Sequence, residues 1–176
     1  MQMIAEFLAR LIAFLTGRSG APAKKVASGW LAIALALVAP FEGLRTVAYR
    51  DPVGIPTICF GETRGVQMGD TATKAECEAM LQDRLQEFHA GLARCLPSLP
   101  TMPPEVQAAL VSWTYNIGTG AACKSTLVKK ARAGDLRGAC NELPKWDKAR
   151  VAGKLVALPG LTRRRSEEQA LCLSAI

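Results

Sequence analysis

The chain has 176 residues, enough for one domain with a real core, or one domain plus an appendage. Its 22 Lys and Arg against 15 Asp and Glu leave a net charge of +7, which suits an anionic partner or is simply solvated surface charge. No RNP-like run, zinc-finger spacing or aromatic-rich basic stripe supports nucleic acid, so an anionic envelope surface is the expected partner.

Met1–Thr16 is apolar but interrupted by Glu6 and Arg10, and Arg18–Ala23 reads as a flexible break. Lys24 and Lys25 precede an uncharged stretch, Val26–Ala39. Basic residues before an apolar stretch are the pattern of a secretory signal or signal anchor, with the basic flank cytoplasmic and the rest exported. A spanning helix needs roughly 20 apolar residues. This stretch reaches only Phe41 before Glu42 interrupts it, and much of it is Ala and Gly. It is a marginal anchor, able to enter a bilayer and able to leave. A second reading makes Leu31–Phe41 a buried helix of the domain. The two are compatible, because one segment can span first and pack later. Residues 1–25 then form an N-terminal extension, readable as a second membrane-interactive helix, residues 26–40 the signal-anchor or apolar helix, and residues 41–176 the domain that follows.

Arg45–Arg50 carries β-forming residues with partial alternation, and Asp51-Pro52-Val53-Gly54 is a turn. Ile55–Gly61 returns as a second strand. Glu42 falls at the end of the preceding helix, and the hairpin folds Asp51 and Thr57 back towards it. Two carboxylates and a hydroxyl spaced E-x8-D-x5-T are what a glycoside hydrolase needs. One carboxyl holds a proton for the leaving oxygen while the other stays ionised beside water or the sugar carbon. Taken singly, Glu42 reads as a helix-end surface carboxylate, Asp51 as a turn aspartate and Thr57 as a strand residue.

Thr73 and Glu76 form a capping box for a helix running to about Ala93, with His89 near its end in a surface role. Leu96–Pro104 breaks that helix. Pro104–Trp113 starts the next and leads into Trp113-Thr114-Tyr115-Asn116-Ile117-Gly118. Asn116 is the candidate glycan-binding amide or, equally, a helix cap before Gly118. Ser125-Thr126 caps a short helix, Leu127–Ala133, and Leu136–Leu143 is another. Trp146 stacks on a sugar or, as the favoured reading, packs in the core. Gly160–Glu168 opens the last helix, where Arg163–Arg165 can face an anionic wall or serve structure.

The run Phe41-Glu42-Gly43-Leu44-Arg45, then Tyr49-Arg50-Asp51, Gly54, Thr57 and Gly61-Glu62-Thr63, resembles the active-site segment of the phage T4-type lysozymes (glycoside hydrolase family 24). The resemblance extends over about Leu31–Leu173. It implies an α+β fold, mainly helical, with a small antiparallel β-hairpin beside the catalytic cleft. It implies a muramidase acting on peptidoglycan glycan strands, with no cofactor and no metal. Glu42 becomes the general acid, Asp51 orients or activates the attacking water, and Thr57 helps to place that water. The group is known as inverting, which predicts a carboxyl separation of about 6.5–9.5 Å. Glu62, a candidate substrate-binding residue, departs from the family, in which many members carry histidine there; an acid at this point pairs with a basic residue of the cleft or shifts the pH optimum. The N-terminal stretch resembles that of signal-anchor-release endolysins, exported tethered and inactive and then released into the periplasm. That implies the host inner membrane as first location, a functional link to a holin or pinholin, and a monomer. The rivals on the same scaffold are a chitinase-like enzyme, a lytic transglycosylase, which does not need Asp51, and a non-catalytic wall-binding protein.

The cysteines are Cys59, Cys77, Cys95, Cys123, Cys140 and Cys172, with no C-x-x-C pair and only one histidine in the chain. Zinc and a Ser-His-Asp triad are both poorly served. An even number in a small domain fits disulfides made in an oxidising compartment. Six cysteines allow 15 pairings, of which Cys59–Cys77, Cys95–Cys123 and Cys140–Cys172 is the preferred set. No cysteine precedes Cys59, so a thiol switch driven from the anchor has no thiol to use. Any silencing of the tethered enzyme must therefore be conformational.

Overall fold

A computed structural model describes residues 29–176. The expectations for Met1–Thr16, for the whole 1–25 extension and for the first three residues of the 26–40 segment lie outside those residues. The described part opens with helix α1 (Gly29–Glu42), then strands β1 (Arg45–Arg50) and β2 (Pro56–Cys59). Helices α2 (Lys74–Ala93), α3 (Pro104–Ile117), α4 (Thr119–Lys124), α5 (Thr126–Arg132) and α6 (Leu136–Cys140) follow. Strands β3 (Lys148–Val151) and β4 (Lys154–Ala157) and helix α7 (Pro159–Leu173) close the chain. The architecture is mainly helical with two separate antiparallel hairpins, β1–β2 and β3–β4.

Helix α3 organises the packing. Every residue from Val106 to Thr114 is buried, as expected of a helix apolar nearly all round. Its Leu110 and Trp113 enter a cluster with Leu92, Leu96, Leu127 and Leu143. Its Ala108 and Val111 enter a second cluster with Leu31, Val38, Ile58, Phe60 and Leu85. One helix thus serves a C-terminal core and an N-terminal core that carries the first hairpin.

Helix α1 joins the second cluster through Leu31, Ala34 and Val38, one stripe at helical spacing. In this structure the described part of the Val26–Phe41 stretch is therefore a helix of the domain, and among the described residues no helix is long and apolar enough to cross a membrane. The bridges Cys59–Cys77, Cys95–Cys123 and Cys140–Cys172 join the pairs favoured from the sequence. The first ties β2 to α2 and the last ties α6 to α7.

Several local expectations are corrected. The second strand ends at Cys59 rather than Gly61, because Cys59 has a φ of 60° and leaves the extended region. The helix expected over Leu136–Leu143 stops at Cys140, and a 3-10 turn, Leu143–Trp146, takes its place. The β3–β4 hairpin has no counterpart among the expected elements. His89 is not a free surface group: it is half-buried, stacked on Trp30 with ring centroids 4.3 Å apart, and its Nε2 lies 2.9 Å from Gln107 Oε1. Trp146 packs edge-to-face on Trp113 with centroids 5.3 Å apart, which is the core reading.

Candidate active site

Glu42 is the last residue of α1, where the chain must leave the helix at once to start β1. Gly43 makes that exit with a φ of 71°, and its N–H donates back to Ala39 C=O over 3.3 Å. The Phe-Glu-Gly order is thus a helix stop that leaves a carboxylate at the helix end. A helix C-terminus disfavours negative charge, and a cation offsets it: Arg164 Nη1 donates to Glu42 Oε1 over 2.7 Å. The Glu42 side chain is 23% exposed while Arg164 is 4% exposed, so the carboxylate meets solvent with its anchor behind it.

That anchor is part of a buried ion cluster. Arg164 also donates from Nε to Glu168 Oε1 (3.2 Å) and from Nη2 to Ser112 C=O (3.2 Å). Ser112 Oγ donates to Glu168 Oε1 over 2.7 Å, and Arg165 Nε lies 2.9 Å from Glu168 Oε2. Two carboxylates face two guanidiniums, so the buried charges balance; a lone one would be far costlier. Burial pushes the Glu168 carboxyl up, against the pull of the two arginines. Burial likewise draws Arg165 down to about 10, still protonated at neutral pH.

The hairpin places the other two candidates. Asp51 N–H donates to Ile55 C=O (3.0 Å) and Gly54 N–H to Asp51 C=O (2.9 Å), closing the turn. Gly54 takes a φ of 88° to complete it. The Asp51 carboxylate is fixed by the same turn, its Oδ1 accepting from Val53 N–H (3.0 Å) and Ile55 N–H (2.8 Å). Thr57 pairs with Tyr49 across the strands, is 3% exposed, and its Oγ1 donates to Ile55 C=O over 3.0 Å. Ile55 therefore couples the two side chains, one through its N–H and the other through its C=O. With its proton committed, the threonine oxygen retains lone pairs for an incoming donor. An open hollow of about 460 Å³ runs along β1 from Leu44 to Tyr49.

Tyr115 ties this assembly to α3. Its hydroxyl donates to Phe60 C=O over 3.1 Å, and its ring meets Phe88 edge-on. Burial, then the nearby Glu42 charge, raise its hydroxyl to about 12. Glu62 follows at the tight turn after β2, where Ile58 and Glu62 exchange two backbone hydrogen bonds of 2.9 Å. Its carboxylate accepts from the Thr63 and Arg64 N–H groups and pairs with Arg64 (3.3 Å) and Arg84 (3.6 Å). Burial raises this carboxyl, but the bonds from Arg64 and Thr63 outweigh it and hold it below the usual range. Glu62 thus clamps the hairpin turn to α2. Asn116 is exposed on the last turn of α3, and the cap is Gly118, with a φ of 85° and its N–H on Thr114 C=O.

Of the two readings of the arginine run, wall-facing or structural, the structure favours the structural one for Arg164 and Arg165. Only Arg163 is exposed, paired with Glu167 over 2.8 Å, while Arg164 and Arg165 are buried. Arg164, Glu168, Ser112 and Tyr115 were not singled out for the site. Arg164 lies 122 residues from Glu42, and the sequence signal was only a basic run opening a helix.

A mainly helical domain with a glutamate at a helix end, entering a short hairpin that bears an aspartate and a threonine, is the architecture of a lysozyme-type glycoside hydrolase. The family model for phage lysozyme matches residues 39–168, and the chain belongs to that family. An endolysin of Acyrthosiphon pisum secondary endosymbiont phage 1 is 39% identical over 141 residues, covering 80% of this chain and 95% of that protein. A SAR-endolysin of Pseudomonas phage phiKMV is 38% identical over 143 residues, covering 81% and 88%. Among solved structures, the endolysin from Escherichia coli O157:H7 phage FAHEc1 superposes with a TM-score of 0.72 at 34% identity, covering 82% of this chain and 92% of that one.

Proposed function

We propose that this enzyme is an endolysin that hydrolyses the β-1,4 bond between N-acetylmuramic acid and N-acetylglucosamine in peptidoglycan, lysing the host from the periplasm. Glu42 is the general acid that protonates the glycosidic oxygen. Asp51 orients or activates the attacking water, and Thr57 helps to place it. Asn116 contributes to glycan binding from the exposed end of α3. The reading rests above all on the Glu42 environment: a part-exposed carboxylate at a helix end, gripped from behind by buried Arg164. A proton donor must hold its geometry while reaching substrate, and this arrangement supplies both. The two N–H bonds on Asp51 Oδ1 likewise hold that carboxylate in one orientation.

Residues 26–40 act as a signal anchor that delivers the enzyme to the outer face of the inner membrane. Residues 1–25 form an extension, and residues 41–176 the catalytic domain. Activity then requires the anchor to leave the bilayer and take up the α1 position, because Glu42 ends that same helix. A holin or pinholin that depolarises the membrane is the functional partner, and the enzyme works as a monomer. The test is wall turnover by the full chain and by Glu42→Gln, with mass analysis of the fragments. Reducing-end muropeptides from the first and none from the second are expected. Anhydro ends point instead to a transglycosylase, and equal turnover by Glu42→Gln removes its assignment as the acid.

A further inference from the structure

The β3–β4 hairpin projects a surface that the catalytic reading leaves unused. Lys148 pairs with Ala157, Ala149 with Val156, Arg150 with Leu155 and Val151 with Lys154. Directly paired residues share a face of the ribbon. One face therefore carries Lys148, Arg150 and Leu155, and the other carries Val151, Lys154 and Val156. Only Ala149 among the strand residues is even half-buried. Leu155 is 65% exposed, Val151 48% and Val156 43%. None of the three belongs to either core cluster. Residues 148–157 hold three cations and no carboxylate. The tip, Ala152-Gly153, turns with φ angles of 47° and 81° and adds no bulk.

We infer that this hairpin is a docking surface for an anionic lipid bilayer, its tip entering the headgroup region with Val151, Leu155 and Val156 in the acyl boundary. The two-sided distribution of aliphatics selects the partner. A polymer or protein laid against one face would leave the other face's exposed aliphatics in water. A bilayer interface surrounds an inserted tip and covers both. Lys and Arg stems cover apolar surface while their charged heads stay at headgroup depth, and each basic group near an anionic membrane strengthens binding about fivefold. The inference goes beyond the catalytic reading and does not depend on it, because no residue of that reading lies in the hairpin.

Hydrogen exchange of the full chain reads the hairpin separately from any membrane contact at the N-terminus. With vesicles of phosphatidylcholine and phosphatidylglycerol, amides of the peptide covering 148–157 should exchange markedly more slowly; with phosphatidylcholine alone they should not. Replacing Lys148, Arg150 and Lys154 by Gln should weaken binding to the anionic vesicles about fivefold per charge. Leu155→Ser with Val156→Ser should abolish the local protection. Unchanged exchange across 148–157 on anionic vesicles that bind the protein overturns the inference. So does equal protection by soluble muropeptides in the absence of lipid, which assigns the surface to the wall. Turnover of soluble wall fragments by the serine variant separates this result from any failure of the catalytic assignment.

Discussion

Replacing Arg164 by Met tests the buried ion cluster and the grip on Glu42 together. The change removes three hydrogen bonds, to Glu42, Glu168 and Ser112 C=O. Glu168 keeps Arg165 and the Ser112 hydroxyl, so it is not left wholly unpaired. Breaking a buried ion pair by deleting one partner costs about 3–5 kcal/mol, and the remaining partners place this case near about 3 kcal/mol. That is a large share of the roughly 5–15 kcal/mol that stabilises a domain, and equals about a 150-fold shift in the unfolding equilibrium. For a domain of this size the melting temperature should fall by about 6–12 °C. Urea unfolding should show a lower midpoint with an unchanged slope. Turnover should fall further than the folded fraction accounts for, since Glu42 loses its anchor, and Arg164→Lys should recover part of both losses with its single donor group. A stability loss under about 1 kcal/mol, with turnover intact, would show that the cluster does not hold the site and would refute the reasoning.

Gly43→Ala should destabilise by about 1–2 kcal/mol through its left-handed backbone alone, since an added Cβ meets nothing within 4 Å; urea midpoints measure it, and wild-type stability would show that the helix exit is not constrained. Trp146→Ala should cost about 2–3 kcal/mol by removing the edge-to-face contact with Trp113, while affinity for glycan fragments stays unchanged; weakened glycan binding in a folded variant would return Trp146 to the cleft. Glu142 is held below its ordinary value of 4.5 by bonds from Lys130, then Lys145. Its folded value is depressed, so its contribution is present above about 4.5 and lost as pH falls through the folded value. Glu142→Gln should therefore be less stable than the parent at neutral pH, with the two curves converging in strong acid. Parallel curves down to the acid limit would contradict that sign.

What the sequence disclosed was mostly local. The capping box at Thr73 and Glu76, the turn at Asp51–Gly54 and the helix end at Glu42 all depend on neighbours within a few positions, and each was readable there. The catalytic candidates were legible for the same reason: the hairpin is a contiguous piece of chain. Arg164 was not, because its meaning depends on α7 crossing behind the end of α1 from 122 residues away. An arginine run looks like a solvated surface until a buried Glu168 and a Ser112 carbonyl are placed beside it. The contacts of His89 lie beyond local sequence in the same way, since its partners Trp30 and Gln107 come from two other helices. The β3–β4 hairpin escaped notice because its residues alternate weakly and pack on almost nothing, so neither periodicity nor burial marked it.

The order of the bridges bears on how the molecule is made. Numbered along the chain, the six cysteines join first to second, third to fourth and fifth to sixth. No loop encloses or crosses another, and the closures span only 18, 28 and 32 residues. On the export route proposed above, the exported part emerges from its N-terminal end and presents each thiol just before its correct mate. Oxidation in order of arrival then favours the native set over the other pairings. Covalent assembly can keep pace with delivery, one stitch at a time.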